Sequence, residues 1–517
     1  MQAIQILWVD DEVDLLKPHF LFLQSRGYQT HPCTNGQEAL TLVKEKHFDV
    51  VLLDENMPGL NGLETLSLLK QEQPNLPVIM VTKNEEERIM EEAIGSKISD
   101  YLIKPVNPNQ ILLSLKKTLD HQNLITEKTT FNYQQEFQKI SLELMDIDTF
   151  ENWARFYKKL VFWELELQNL EDASMVEIFE NQLKEANALF GRFITKNYLQ
   201  WMEDNENTPL FSHQVFKQKV FPHLSTQQPT LLLVIDNLRW DQWKTIEPLI
   251  TKYYQKEEES MYYSILPTAT QYARNAFFAG LTPAEIKQHY PQYWKDDHEE
   301  GGKNLNEEAL LDLQLSRLHA DFKANYTKVT NLKSAKQLPQ LIKKNKATPL
   351  FTVVYNFVDM ISHAKSEMEI IKELASDNKA YRSLTESWFK NSPLLEAIQQ
   401  AQKQQYNIIL TTDHGTINVT TPLEVVGDKE TSVNLRYKTG KNLNFPKKKV
   451  FEVNDPKAAG LPSLSLNSKY IFAQEAQYFV YPQNYHHYAN LFQNTYQHGG
   501  ISMEEMLIPF VFLTPKK

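Results

Sequence analysis

The sequence contains a single cysteine, Cys33, among its 517 residues, which excludes an internal disulfide framework and suits a reducing compartment. A lone thiol here reads as a small buried residue beside a strand rather than a reactive group. No apolar run reaches the ~18 residues that a membrane-crossing helix requires, and the N-terminus lacks the basic-then-apolar plan of a secretory signal. A soluble, cytoplasmic protein with no membrane span is expected. Positive charge is also scarce: 54 Lys and Arg stand against 65 Asp and Glu, a formal net charge of -11. Duplex DNA binding draws its affinity from many phosphate-neutralising cations, and no helix-turn-helix or basic recognition helix stands out, so duplex reading is not expected. Small or single-stranded phosphate substrates stay open. Long repeats and low-complexity tracts are absent, while 42% hydrophobic residues supply an ordinary globular core.

What is present falls into blocks, and at ~150 residues per domain the length suggests about three domains. Residues 1–120 alternate short apolar runs (4–9, 48–53, 78–82, 101–103) with stretches of helical period, the pattern of a doubly wound α/β domain. From 121 to 208 apolar residues recur at three- and four-residue spacing, as at Leu160, Trp163 and Leu167 and again at Phe179, Leu183 and Ala186. That spacing predicts an all-helical connector. Residues 209–517 read as a second, larger α/β domain, with strand runs at 230–235, 350–357, 407–412 and 508–513. The charge runs at 256–259, 343–344 and 447–449 read as solvated faces or loops.

In the first domain, Asp10 and Asp11 follow one apolar run, Asp54 ends a second, Thr82 ends a third and Lys104-Pro105 follows the fourth. Such strand ends converge on one rim of an open sheet. Three carboxylates packed together repel one another and call for a divalent cation, and oxygen-only ligation suits Mg²⁺. A carboxylate beside that ion, with a Lys to balance phosphoryl oxygens and a hydroxyl to bond them, is equipped to accept a phosphoryl group. Pro58 and Gly59 turn the loop after Asp54 towards a helix opened by Gly62. This set, with Met57-Pro58-Gly59, resembles the receiver domain of bacterial two-component response regulators. The resemblance implies a CheY-like fold in which Asp54 is the phospho-acceptor and Asp10, Asp11 and Asp54 hold Mg²⁺. It further implies that Thr82 and Lys104 read the phosphoryl group, that Tyr101 is the switch aromatic, and that a sensor histidine kinase supplies the phosphate.

The C-terminal domain carries a second constellation. Asp236 follows the run 230–235, Asp413 and His414 follow 407–412, and His498 precedes Gly499 and Gly500. Asp359 and His363 are four apart, which puts both on one face of a helix if that segment is helical. These groups and one hydroxyl can fill two metal sites with open positions, the arrangement that serves phosphoryl transfer. Mixed imidazole and carboxylate ligands favour Zn²⁺, with Mn²⁺ the alternative. The hydroxyl is placed at Thr270, where a proline turn leads into a helix: there a Thr can be nucleophile and metal ligand while helix-terminal amides hold phosphate. A simple N-cap is the competing reading.

The segments VIDNLRWD (234–241), PTAT (267–270), FVDMISH (357–363), TTDHG (411–415) and HGGISMEEM (498–506) together resemble the alkaline phosphatase superfamily, and within it the PglZ branch. That resemblance implies an alkaline-phosphatase-like fold in which one metal takes Asp236, Thr270, Asp413 and His414 and the other Asp359, His363 and His498. Receiver, helical connector and PglZ-like domain in this order resemble PorX-type response regulators of the type IX secretion system. The partners this implies are a secretion-motor protein and a sigma factor. The expected activity is hydrolysis of nucleotide or oligonucleotide phosphodiesters through a covalent phospho-threonine, with phosphorylation of the receiver promoting a homodimer. The alternative is a non-enzymatic switch in which phosphorylation changes oligomeric state and the metals only stiffen the effector.

Other residues carry two readings each. Arg239 and Arg274 lie beside ligand segments, where they could contact phosphate oxygens or form ordinary ion pairs. Lys429, Arg436 and Lys438 offer charge to a polyanionic substrate, against placement in an inert insertion. His486 and His487 adjoin no partner motif and read as surface residues, and most of the abundant Tyr and Phe read as core.

Overall fold

The structure is a computed structural model that describes residues 4–83, 98–168, 173–203, 207–356, 377–427, 431–465 and 467–516, the side chains of 120–128 and 173 apart. The chain divides into two compact units, Met1–Gln135 and Glu136–Lys517.

The first unit is built on five parallel strands: β1 (Ile4–Val9), β2 (Tyr28–Cys33), β3 (Val50–Asp54), β4 (Val78–Thr82) and β5 (Asp100–Ile103). Their order is β2-β1-β3-β4-β5. The Val- and Leu-rich β3 and β4 are buried along their length, as central parallel strands must be when both faces are covered. Leu7, Val9, Val51 and Leu53 pack on one side, and Ile6, Trp8, Val50 and Leu52 on the other. The strand order reverses between β1 and β3, and crevices at such switch points receive ligands. Four of these strands follow the apolar runs. The fifth, β2, is an edge strand in which Gln29, Thr30 and His31 are consecutive polar residues followed by Pro32, so it has no run to announce it. Cys33 is buried at its end, and burial pushes its thiol up to about 12, which makes it inert.

The helix Pro108–Asp146 contains the boundary between the two units. The next connector helices, Phe150–Leu167 and Ala173–Glu203, belong to the second unit. They clasp each other through aromatic residues, with Trp153 edge-on to Phe190 at 5.2 Å. Helical spacing therefore translates directly into packing here, since residues three and four apart share a face.

The effector strands are β6 (Thr230–Ile235), β7 (Tyr254–Tyr263), β8 (Ala324–Val329), β9 (Leu350–Tyr355), β10 (Asn407–Thr411), β11 (Ile417–Val419), β12 (Thr421–Glu424), β13 (Tyr437–Gly440), β14 (Val450–Val453), β15 (Lys469–Ala473), β16 (Gln477–Val480), β17 (Thr495–Gln497) and β18 (Leu507–Pro515). The central sheet runs β7-β18-β10-β6-β9-β8, while β11-β17, β12-β16 and β13-β15-β14 form small accessory sheets. Strands β10, β6, β9 and β8 are parallel, and β18 and β7 extend the sheet antiparallel. Strand β6 is buried throughout, and a fully apolar run such as 230–235 suits the middle of a two-sided sheet.

Of the two readings of residues 256–259, the loop is corrected: they lie within the edge strand β7, with Glu257 exposed and its neighbours partly so. Glu258 pairs with Lys219 at 2.7 Å, and Glu259 accepts a 2.8 Å bond from the Trp243 indole. A charged edge strand of this kind resists pairing with another chain. Among the described residues, no helix is long and apolar enough to cross a membrane.

Candidate functional sites

The strand ends of the first unit deliver its acidic site. Asp10 follows β1 and Asp54 ends β3, both buried, with Asp11 exposed beside them; oxygens of the three lie within 4.8 Å of one another. The Glu12 amide donates to Asp10 Oδ1 at 2.9 Å and fixes that carboxylate. Lys104 Nζ lies 2.8 Å from Asp10 Oδ2 and 3.0 Å from Asp54 Oδ1. Burial raises the Asp54 pKa against the pull of Lys104, with Asp10 and Asp11 adding to the rise. This all-oxygen cluster, part buried and part open to water, fits a hard divalent cation such as Mg²⁺.

Gly62 is required by space, because a Cβ there would sit 2.3 Å from the Asp54 carbonyl oxygen, and Gly59 holds φ at +86°. The Thr82 hydroxyl donates to the Glu55 carboxylate. Glu55 is thus a buried member of the rim that has no signal in the sequence beyond its place after Asp54. Tyr101 on β5 is 41% exposed.

The larger site is assembled by the second unit. Asp236 follows β6, and Asp413 and His414 follow β10, its parallel neighbour. Their ligand atoms all lie within 4.8 Å of one another, and all three residues are buried. Asn237, at φ +66°, turns the chain sharply away behind Asp236. On the other loop, the Thr412 hydroxyl bridges the strands, accepting from the Leu238 amide and donating to Asp413 Oδ1, each at 3.2 Å. Gly415 lets Glu504 approach so closely that a Cβ would lie 2.0 Å from its carbonyl oxygen.

Thr270 is the first residue of the helix Thr270–Ala279, and the N-cap position belongs to Ala269, which makes no side-chain cap. The N-cap reading of Thr270 is therefore set aside. Its hydroxyl points into the site instead, 3.0 Å from His414 Nε2. His414 Nδ1 lies 3.1 Å from the Gly415 carbonyl oxygen, which fixes the ring with Nε2 turned towards Thr270 and the carboxylates. His498, at the end of β17, stacks on His414 with ring centroids 4.2 Å apart, its Nδ1 3.2 Å from the Thr268 carbonyl oxygen. The structure thus gathers Asp236, Thr270, Asp413, His414 and His498 from four separate segments. Asp359 and His363 lie outside the described residues.

Arg274 balances this acidic centre. Its Nη1 lies 2.6 Å from Asp236 Oδ2 and 3.7 Å from Asp413 Oδ2, and its Nε is 2.6 Å from Glu307 Oε1. Burial alone would push the Asp413 carboxyl up, but His414 and Arg274 together hold it below the usual carboxylate range. Carboxylates, an imidazole and a hydroxyl converging in a buried pocket fit a borderline metal such as Zn²⁺ or Mn²⁺. Glu307, reached through Arg274, gave no sign in the sequence.

Of the two readings of Arg239, Arg436 and Lys438, the one observed is bonding within the fold. Arg239 is buried and bound to Asp241 through Nε at 2.8 Å and through Nη2, while Nη1 donates to Asn378 at 3.0 Å, so it is an ion-pair residue and no phosphate contact. Arg436 likewise faces Glu505, with Nη2 2.5 Å from Oε2, and both side chains are fully buried. Lys438 is buried and donates to the Ser432 carbonyl at 2.9 Å; Lys429 lies outside the described residues. His486 and His487 are exposed, as expected.

Comparison with known proteins identifies the families of the three regions. The family model described as "BREX system PglZ alkaline phosphatase-like domain" matches residues 215–513, more than half of the 517-residue chain. A "PorX response regulator linker domain" matches 123–202 and a "Response regulator receiver domain" 6–116. Among curated relatives, the transcriptional regulatory protein ZraR of Klebsiella oxytoca is 35% identical over 129 residues, 25% of this chain and 29% of its own. The transcriptional regulatory protein SrrA of Staphylococcus aureus is 29% identical over 144 residues, 28% of this chain and 58% of its own. The chain therefore spans less than two thirds of the length of these relatives. A CheY-like receiver domain protein from Methanospirillum hungatei is similar at 28% identity, over 23% of this chain and 97% of its own, with a TM-score of 0.23. The chain belongs to the PglZ family and has the PorX-type architecture, a response-regulator receiver and a PorX linker domain ahead of an alkaline phosphatase-like domain.

Proposed function

We propose that the chain is a phosphorylation-controlled phosphodiesterase that cleaves nucleotide or oligonucleotide phosphodiesters with Thr270 as nucleophile. The observation that carries this reading is the Thr270 hydroxyl: it opens a helix, makes no cap, and lies 3.0 Å from His414 Nε2 beside two buried carboxylates. Asp236, Thr270, Asp413 and His414 would hold one Zn²⁺, or Mn²⁺, and Asp359, His363 and His498 a second. Bound there, the ions would neutralise charge on the phosphate and favour the ionised alcohol.

The chain's own groups do the rest. The Thr270 oxygen attacks phosphorus, forming a phospho-threonine as the leaving alkoxide departs, and water then releases phosphate ester and restores the hydroxyl. The unpaired amides of the first helical turn receive the non-bridging oxygens. In the receiver, Asp54 accepts a phosphoryl group from a sensor histidine kinase, with Mg²⁺ on Asp10, Asp11 and Asp54 and with Thr82 and Lys104 contacting the new phosphoryl oxygens. Tyr101 would report that event, and a homodimer would follow. The PorX-type architecture supports a cytoplasmic role in regulating type IX secretion, with a motor protein and a sigma factor as partners.

The test incubates metal-loaded protein with bis(p-nitrophenyl) phosphate and a short oligonucleotide beside a Thr270→Val variant. Release should fall at least about a hundredfold in the variant, the scale of losing a group that acts on the reacting centre. Equal release by both proteins would remove Thr270 as nucleophile. No release by either, with several metals and a phosphorylated receiver, would favour the dimerisation switch.

A further inference from the structure

A cavity of about 670 Å³ opens beside the proposed nucleophile, with Thr270 and His498 in its lining. That volume lies within the ~300–1,000 Å³ typical of small-molecule sites. Tyr488 and Phe492, four apart on the helix Tyr485–Phe492, present near-parallel rings to it, with centroids 6.2 Å and planes 11° apart. Tyr488 is 40% exposed, an aromatic ring standing at a cavity edge instead of in a core. Further along the lining, the Lys438 amine sits over the Tyr481 ring, 4.6 Å from its centroid, and the side-chain amides of Asn434 and Gln483 add polar groups.

These walls select a ligand chemistry. A second phosphate or a polyanion would need several cations, and Lys438 is the one Lys or Arg among the lining residues described. Its burial lowers its pKa to about 7, which weakens it further as an anchor for anions. A purely aliphatic group would make no use of the polar rim at Asn434 and Gln483 or of the amine, which also donates to the Ser432 carbonyl. A flat heteroaromatic ring with a polar edge uses both kinds of wall, stacking on the aromatic faces and bonding at its rim.

We propose that this cavity binds the nucleobase of the nucleotide whose phosphate reaches Thr270, with Tyr488 and Phe492 as the stacking wall and Lys438 as a donor to the edge of the base. The proposal rests on the phosphodiesterase reading for the position of the phosphate, and the cavity itself is independent of it.

The experiment uses the full-length, Zn²⁺-loaded protein and compares a dinucleoside monophosphate with its abasic counterpart, for the parent and for Tyr488→Ala, Tyr488→Phe and Phe492→Ala. Stacking of one base on an aromatic side chain corresponds to roughly a tenfold preference or more in kcat/KM. The parent should show that preference, each Ala variant should lose most of it, and Tyr488→Phe should keep it. Equal turnover of both esters by the parent, or a preference untouched in both Ala variants, would overturn the base site while leaving the phosphodiesterase standing. If neither ester is cleaved, binding of adenosine 5′-monophosphate against ribose 5-phosphate decides the matter by calorimetry. Tighter binding of the nucleotide, lost in Tyr488→Ala, would uphold the cavity and remove the enzyme reading. Equal binding of the two would remove the cavity as a base site.

Discussion

Replacing Arg274 with Met tests whether the buried acidic centre of the effector is built for a cation. The guanidinium touches three carboxylates, Asp236 at 2.6 Å, Asp413 at 3.7 Å and Glu307 at 2.6 Å, and each of these side chains is 1% exposed. At an effective dielectric of about 20 such contacts attract by ~4–6 kcal/mol each, most of it offset by desolvation. Deleting one partner of a buried pair exposes the imbalance and costs ~3–5 kcal/mol. At roughly 2 °C per kcal/mol for a unit of this size, the variant should melt about 6–10 °C below the parent in the presence of a chelator. A divalent ion at Asp236 and Asp413 replaces the missing positive charge, and an ion present at about a thousand times its Kd stabilises by ~4 kcal/mol. Saturating Zn²⁺ should therefore raise the Tm of Arg274→Met more than that of the parent and close most of the gap. Calorimetry with chelator and with Zn²⁺ measures both quantities. A gap that is the same in both conditions would refute the reasoning, because Arg274 would then be supporting the fold without sharing its carboxylates with a metal.

Other outcomes follow from the same structure. Arg436→Met should cost ~3–5 kcal/mol, because it leaves Glu505 buried without its cation, whereas the double change Arg436→Met, Glu505→Gln should recover part of the loss; chemical denaturation decides. Lys438 is 1% exposed and its amine is lowered by burial from 10.5 to about 7. Between those values the unfolded chain binds the extra proton, so the parent should gain stability as pH rises from about 7 towards 10 at up to ~1.4 kcal/mol per pH unit. Lys438→Met should abolish that slope in melts across the range, and an unchanged slope would show that Lys438 is not its source. For the receiver, Asp54→Ala should stay monomeric in acyl phosphate under conditions where the parent pairs, as read by light scattering; a variant that still dimerises would remove Asp54 as the trigger.

Much of the scaffold was legible because its signals are local. The runs before Asp10, Asp54, Asp236 and Asp413 are apolar on both faces, and a strand with no polar side can lie only inside a covered sheet, which puts the next acidic residue at its end. The connector was legible for a similar reason, since residues three and four apart share a helix face. Strand β2 and strand β7 were not, because edge strands need little burial and can carry polar or charged residues along their length. At the site, Thr270 could be placed at a helix start, yet whether its hydroxyl capped that helix or faced His414 depended on a loop 144 residues away.

The sequence by itself determined the doubly wound receiver, the helical connector, the second α/β domain, and which acidic and imidazole side chains lie at strand ends, for these depend on periodicity and on neighbours in the chain. Only the tertiary structure decided what surrounds those groups. Arg274, Arg239 and Arg436 look alike as charges in a sequence, and each is committed by burial to a different carboxylate. Electrostatic energy depends on distance and dielectric, and both are set by how remote segments pack.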